Sequence, residues 1–231
     1  MTIQGSVRSA PAGIKGFDAN VVISASVAKQ FVAAGYQFAV RYVGRTQMAS
    51  HDLTTAEANT LLEAGLALMP VQHVEAGEWM ASGDLGTTYG KNAARFVADI
   101  GFPAGVNVWL DLESVSGSAA EADVVAYCNN WYGQVAAAGF TPGIYVGWQP
   151  MIPNSDLFTR LKFKQYWGAY NVDAVIPHRG WVMKQTPASK QVAGIEHDDN
   201  ITHVDGEGGQ VIWLAPPGDA AAAVYGTPYT G

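Results

Sequence analysis

The strongest constraint on this chain is a repeated alternation of short apolar segments with amphipathic helical segments that stop at glycine. Ile14 to Asp18 reads as a strand, and Ser24 to Ala34 has helical spacing and ends at Gly35. Gln37 to Val43 alternates as a second strand. Thr54-Thr55-Ala56-Glu57 opens a helix as a capping box, and that helix runs to Gly65. Leu66 to Val74 is a third strand, Glu75 to Gly86 a polar loop carrying Trp79, and Tyr89 to Ile100 a helix closed by Gly101. A strand over Val106 to Glu113 and a long helix over Ser118 to Ala138 follow. Strand and helix thus alternate at a spacing of roughly 30 residues, the pattern of a parallel sheet.

Further strands are expected at Pro142 to Trp148, Lys164 to Tyr170, Trp181 to Gln185 and Gly194 to Asn200, with a short helix over Ser155 to Leu161 and a last strand or hairpin at Gln210 to Leu214. Eight strand candidates favour an α/β fold of the (β/α)8 TIM-barrel type, with the last strands short of helices. No glycine-rich phosphate loop follows the first strand, which argues against a dinucleotide fold. The expected organisation is a flexible segment over 1–13, one barrel domain over 14–214, and a loose Pro-, Gly- and Ala-rich tail over 215–231.

The strand Val106 to Glu113 ends in two acids two positions apart. Residues i and i+2 of a strand face the same way, so Asp111 and Glu113 stand side by side, with roots roughly 6 to 7 Å apart. An unpaired buried charge is costly, so two acids closing a buried strand imply a cleft. The other expected strand ends carry polar and aromatic residues too. They are Asp18; Arg41 and Tyr42; Gln72, His73 and Glu75; Tyr145 and Trp148; Tyr166, Trp167 and Tyr170; Lys184 and Gln185; and His197, Asp198 and Asp199. In a parallel barrel these ends meet at one rim, where barrel enzymes place their chemistry. Several carboxylates flanked by Trp and Tyr suit glycosidic cleavage. One acid of raised pKa protonates the leaving oxygen, while a second stabilises the oxocarbenium-like charge, attacks it, or orients a neighbouring acetamido group. The plainer alternative for Asp111 and Glu113 is a solvated strand end paired with Arg41 or Lys184.

A net charge of −7 opposes binding to nucleic acid or to an anionic membrane. No apolar run reaches membrane-spanning length, and the first residues lack a signal-peptide layout. A soluble protein made in the cytoplasm is expected, reaching a cell wall after lysis or through a secretion machine. Cys128 is the one cysteine, so no disulfide or cysteine zinc cluster is expected. A metal-dependent hydrolase built on His73, His197, Asp111 and Asp198 is a third alternative; no H-x-H or H-E-x-x-H spacing supports it, and neither metal nor cofactor is expected.

Gly16-Phe17-Asp18, Phe38-Ala39-Val40-Arg41-Tyr42, Leu53-Thr54 to Glu57 with Ala64-Gly65-Leu66, Trp109-Leu110-Asp111-Leu112-Glu113, Gly143-Ile144-Tyr145, and Gln185 with Asp198-Asp199-Asn200 occur in that order. Together they resemble the glycoside-hydrolase-like barrel domains related to the family-25 muramidases, over about Ile14 to Leu214. The resemblance implies cleavage of the β-1,4 bond between N-acetylmuramic acid and N-acetylglucosamine in peptidoglycan or a related amino-sugar polysaccharide. It makes Glu113 the general acid and Asp111 its orienting or stabilising partner, with Asp18 and Asp198 in the same pocket and Asp199 as a rival to Asp198. Tyr145 matches the family's Ile-Tyr tyrosine. Arg41, Gln72, His73, Trp148, Trp167 and Gln185 complete the expected substrate-binding set. Asp18-Ala19-Asn20 departs from the muramidase opening toward the glycoside-hydrolase-like relatives. The alternative function is a non-catalytic barrel that holds cell-wall glycan within a phage particle or a secreted assembly.

Overall fold

The structure, a computed structural model, describes residues 3–171, 176, 178–187, 190–218 and 225–229. In chain order it comprises β1 (Ser6–Ser9), β2 (Lys15–Ala19), α1 (Ala25–Ala33), β3 (Phe38–Val43), α2 (Thr55–Ala64), β4 (Ala67–Gln72), α3 (Gly83–Ile100), β5 (Asn107–Leu112) and α4 (Glu121–Ala137). It continues with β6 (Thr141–Val146), α5 (Asn154–Thr159), β7 (Tyr166–Gly168), β8 (Met183–Gln185), β9 (Lys190–Val192), β10 (Ile195–Thr202), β11 (Ile212–Ala215) and β12 (Thr227–Pro228).

Strands β2, β3, β4, β5, β6, β7, β8 and β10 close a barrel, with β10 returning to β2. This is the TIM-type barrel expected from the alternation, and among the described residues no helix stands between β7 and β10. One feature of the expectation is corrected. The eighth barrel strand is antiparallel to both neighbours. It follows β9 through Ala193 and Gly194, both at positive φ (53° and 78°), and a two-residue turn of this kind reverses the chain. The rim therefore receives the first half of β10, where Asp198 faces Asp18 in register, and not its carboxyl end.

The lower end of the barrel is closed by the strand expected near Gln210 to Leu214 together with two segments expected to be loose. Strand β1, inside the expected flexible lead-in, pairs with β11 and β12. Strand β11 meets β4 at Leu68, and the Asn107 side chain accepts from the Ile212 N–H at 2.6 Å. Beta 4 and β5 pair directly only at Val71–Trp109 and Gln72–Leu110, so β11 wedges in below. Within the expected loose tail, Thr227–Pro228 is the paired strand β12; residues 219–224 lie outside the described residues.

The helices cover the outside. Ser24 and Thr54 cap α1 and α2 by accepting from Val27 and Glu57 N–H groups. The Glu57 carboxylate does not return to its own cap; it accepts from Arg41 Nε at 2.8 Å and from the Ile23 N–H at 2.9 Å. Helix α3 begins at Gly83, inside the stretch expected to be a loop, because Gly83 and Gly86 mask the helical pattern of its first turn. A Cβ on Gly86 would lie 2.1 Å from the Tyr127 carbonyl oxygen, and one on Gly90 would lie 2.8 Å from the Trp131 backbone. The glycines let α3 lie directly on α4. No described helix is long and apolar enough to cross a membrane.

Two apolar layers hold the barrel. Phe17, Leu68, Val108, Leu110 and Ile144 face the helices, whereas Phe38, Val40, Met69, Trp109, Trp167, Met183 and Trp213 fill the interior. Trp109 fits because Gly143 faces it; a Cβ there would sit 2.4 Å from the ring.

Arg41 and Glu57 are both buried, and together they join β3 to α2. Removing one member of a buried pair strands the other charge, at a cost of about 3–5 kcal/mol. Glu57→Ala is expected to lose that much in urea denaturation with an unchanged m-value. A loss under about 1 kcal/mol would contradict the role given to the pair.

Candidate active site

Strand parity decides which side chains enter the barrel. On β2, Phe17 packs outward, so Asp18 points in. On β3, Phe38 and Val40 face the interior and Tyr42 packs against the same cluster. On β5, Trp109 lies below Asp111, and Glu113 stands just past the strand end. Tyr145 on β6, Gln185 on β8, and Asp198 and Asn200 on β10 complete the ring. A cavity of about 270 Å³ opens there, lined by Asp18, Ala19, Asn20, Tyr42, Glu196, His197 and Asp198. A somewhat larger one, about 320 Å³, lies at the opposite end, around Gln165, Ile212 and Tyr229, and no acid lines it.

A chain of hydrogen bonds orders this layer. Trp167 Nε1 donates to Asn200 Oδ1 at 2.8 Å, and Asn200 Nδ2 donates to Asp18 Oδ2 at 2.7 Å. Gln185 Nε2 donates to that same Asp18 oxygen at 3.1 Å and to Asp198 Oδ2 at 3.4 Å, while Gln185 Oε1 accepts from Tyr145 OH at 3.0 Å. Asp111 Oδ1 is buried and has no hydrogen-bond partner. The Trp148 N–H bonds to the Glu113 carboxylate, and Trp79 Nε1 donates to the Glu113 carbonyl at 2.9 Å. Gly147 lies beneath this acid; a Cβ there would fall 2.3 Å from Glu113 Oε2 and 2.6 Å from its Cβ.

Burial and mutual repulsion push these acids toward their neutral forms. Desolvation lifts Asp18 from 3.8 to about 7, against the opposing pull of its Asn200 and Gln185 donors. Desolvation also holds Asp111 well above its usual range, with Glu113 and Asp18 adding repulsion. Glu113 is raised for the same first reason; the Trp148 N–H pulls it down and Asp198 pushes it up. Carboxyl groups held toward their neutral forms around one cleft are suited to acid–base chemistry.

The expected site residues divide into two groups. Asp18, Asp111, Glu113, Asp198, Tyr145 and Gln185 surround one cleft. Trp148 stands at its edge, 58% exposed. His73 lies on the flank, stacked on Tyr42 with centroids 4.7 Å apart and bonded to Asp52. Four residues sit elsewhere. Arg41 faces outward to Glu57, and Gln72 is spent on the Gly44 and Tyr89 carbonyls and on Trp131 Nε1. Asp199 faces outward too, accepting from Tyr36 OH at 2.6 Å. Trp167 is buried under Tyr145, so its indole supports the floor and offers no stacking face. His197 bonds to Tyr36 and packs on Phe31, away from Asp111, so the four-residue metal reading does not converge. Asn200 and Gly147 were missed as site residues, and Tyr42, named at its strand end, was left out of the substrate-binding set in favour of Arg41. Period-2 parity would have chosen Tyr42 over Arg41 and Asn200 along with Asp198.

The family profile of the Rv2525c-like, glycoside hydrolase-like domain matches residues 29–207. The chain belongs to that family. No curated protein sequence matches this family member. Its fold is similar to the Mycobacterium tuberculosis Tat-secreted protein Rv2525c, solved with L-tartrate, at 19% identity and a TM-score of 0.63, covering 84% of this chain and 96% of that one. It is also similar to a bacterial lysozyme from Streptomyces coelicolor, at 17% identity and a TM-score of 0.58, covering 83% and 93%. A family 25 glycosyl hydrolase from Bacillus anthracis aligns over 98% of this chain and 100% of its own, at 11% identity and a TM-score of 0.57. The Rv2525c-like domain thus shares its barrel with lysozymes and muramidases.

Asp18 has a consequence for stability. Its raised folded pKa keeps the proton bound up to about pH 7, whereas the unfolded chain releases it near 3.8. Stability contributed by this group is complete at low pH, falls between those two values, and changes no further above them. Asp18→Asn removes the titration, so its stability relative to the unsubstituted chain should climb between pH 4 and 7, by up to about 4 kcal/mol. Parallel stability curves for the two proteins across that range would refute the assignment.

Proposed function

We propose that this chain is a glycoside hydrolase of bacterial peptidoglycan, cutting the β-1,4 bond between N-acetylmuramic acid and N-acetylglucosamine. The observation that carries the reading is the cluster of Asp18, Asp111, Glu113 and Asp198 at one rim, with Asp18, Asp111 and Glu113 raised toward neutrality. The lysozyme-like barrels named above support a polysaccharide substrate by analogy of fold.

The roles follow from burial. Glu113 is the least enclosed of the three raised acids and stands at the cleft beside exposed Trp148, so it can reach a leaving-group oxygen while carrying a proton. Asp111 is deeper, and its unpartnered Oδ1 is free to accept from an acetamido N–H or to face developing positive charge. Asp18, fastened by Asn200 and Gln185, shapes the pocket and repels charge on Asp111. The Trp148 indole offers an apolar face to a sugar ring.

The deciding experiment follows turbidity loss and reducing-sugar release from purified peptidoglycan. Glu113→Gln is expected to lower release by about 10²–10⁴-fold while leaving the circular dichroism spectrum unchanged. Because the acid must be protonated, release should decline on an alkaline limb above the usual glutamate range of about 4.3. If the unsubstituted chain pulls down with peptidoglycan but releases nothing, it is a glycan-binding barrel and the hydrolase reading fails.

Gly147→Ala tests placement without changing any acid. The added methyl must displace the Glu113 side chain, so release should fall at least about tenfold with the Glu113 carboxyl still present. Unaltered turnover would show that Glu113 acts from another position.

A further inference from the structure

Outside the acid cleft, the loop between β3 and α2 brings His51 and Asp52 against His73, just past β4. One ligand atom from each lies within 4.8 Å of the other two. The Nε2 atoms of both histidines converge on a single oxygen, Asp52 Oδ1, at 2.7 Å from His73 and 3.8 Å from His51. The second Asp52 oxygen is held by the Ala49 N–H at 2.7 Å. We propose that these three side chains form a binding site for a divalent transition-metal cation, with zinc the best match.

Charge supports this first. Asp52 is 1% exposed, yet among the described residues no lysine or arginine pairs with it. The two nearby guanidinium groups are engaged elsewhere: Arg41 with Glu57, and Arg45 with Glu75 at 3.1 Å. The buried Asp52 carboxylate faces a cavity of about 320 Å³ whose lining includes Asn20, Arg45 and Gln47. A buried charge of this kind calls for a counter-ion.

Donor type and spacing point to zinc. Two imidazoles and one carboxylate are borderline ligands that suit it. Bonds of about 2.0–2.1 Å in a tetrahedron put neighbouring ligand atoms about 3.3 Å apart. The observed pairs bracket that figure, and the half-exposed His51 ring can move to meet it. The His73 ring and the His51 backbone are braced. His73 stacks on Tyr42, and the His51 carbonyl accepts from Arg41 at 2.9 Å. Three protein ligands leave a coordination position open to the cavity. That cavity shares Asn20 with the acid cleft.

The test uses the full chain stripped with a chelator, then titrated with ZnCl2 by calorimetry and with CoCl2 by visible absorption. One equivalent of zinc is expected, together with cobalt ligand-field bands of a four- or five-coordinate site. His51→Ala removes a surface ring, so the fold should survive. It should weaken zinc at least about tenfold and abolish the cobalt bands. His73→Ala should do the same. No saturable binding, or binding unchanged in the His51→Ala/His73→Ala double variant, would overturn the proposal and leave a hydrogen-bonded His–Asp cluster. The readout is metal binding alone, so its outcome is independent of whether the chain cleaves glycan.

Discussion

Asn200 and Gln185 donate to one oxygen of Asp18, at 2.7 and 3.1 Å, and this shared acceptor ties the first barrel strand to the last two. The β2–β10 ladder brings Asp198 opposite Asp18, so the closing seam of the barrel and the acid cluster are the same place. Below it, Trp167 hands its indole N–H to Asn200, and Trp109 packs edge-on against Trp167 with centroids 5.8 Å apart. The buried aromatic floor thus lies beneath the acids and satisfies the Asn200 carboxamide oxygen. Desolvation then does what the sequence chemistry requires: it keeps carboxyl groups neutral where solvent would strip their protons.

Much of this arrangement was legible because the two governing periods are simple. Glycine stops and helical spacing marked the early βα units, and the i, i+2 rule placed Asp111 and Glu113 on one side. The same rule, carried through every strand, separates Tyr42 from Arg41, Gln72 from His73 and Asp198 from Asp199. Where a whole strand end was taken as site, one of each pair faced the helices. Arg41 and Gln72 are polar residues on that outer face, each neutralised or saturated by partners remote in sequence. Such partners cannot be seen in a local pattern.

The features that stayed hidden depend on contacts distant along the chain. The direction of β10 follows from a two-residue turn at Ala193–Gly194, a short signal in a segment without helices. Strand β1 has no periodicity of its own because it borrows its order from β11, two hundred residues away. The start of α3 reads as loop because Gly83 and Gly86 stand in a polar stretch, whereas Gly86, like Gly90 further on, serves close approach to α4. Glycine carries both meanings, and only the facing surface distinguishes them.

Glu113 stands one residue beyond its strand, where a ladder no longer holds the backbone. Its placement is transferred to the loops. Ser114 donates to the Trp148 carbonyl at 2.7 Å, Glu78 donates to the Ser114 carbonyl at 2.8 Å, and Trp79 reaches the Glu113 carbonyl. Glu78, Ser114 and Gln149 all adopt positive φ, between 52° and 58°, without being glycine. Each such residue costs on the order of 1 kcal/mol or more and persists only where the surroundings over-determine it. Three of them around one acid mean that the loops after β4, β5 and β6 are stitched to one another at this point. Gly147 completes the arrangement by leaving the space that the Glu113 side chain fills. The position of the acid is thus set by backbone that the barrel itself does not need, which is how a stable scaffold can carry a separately specified site.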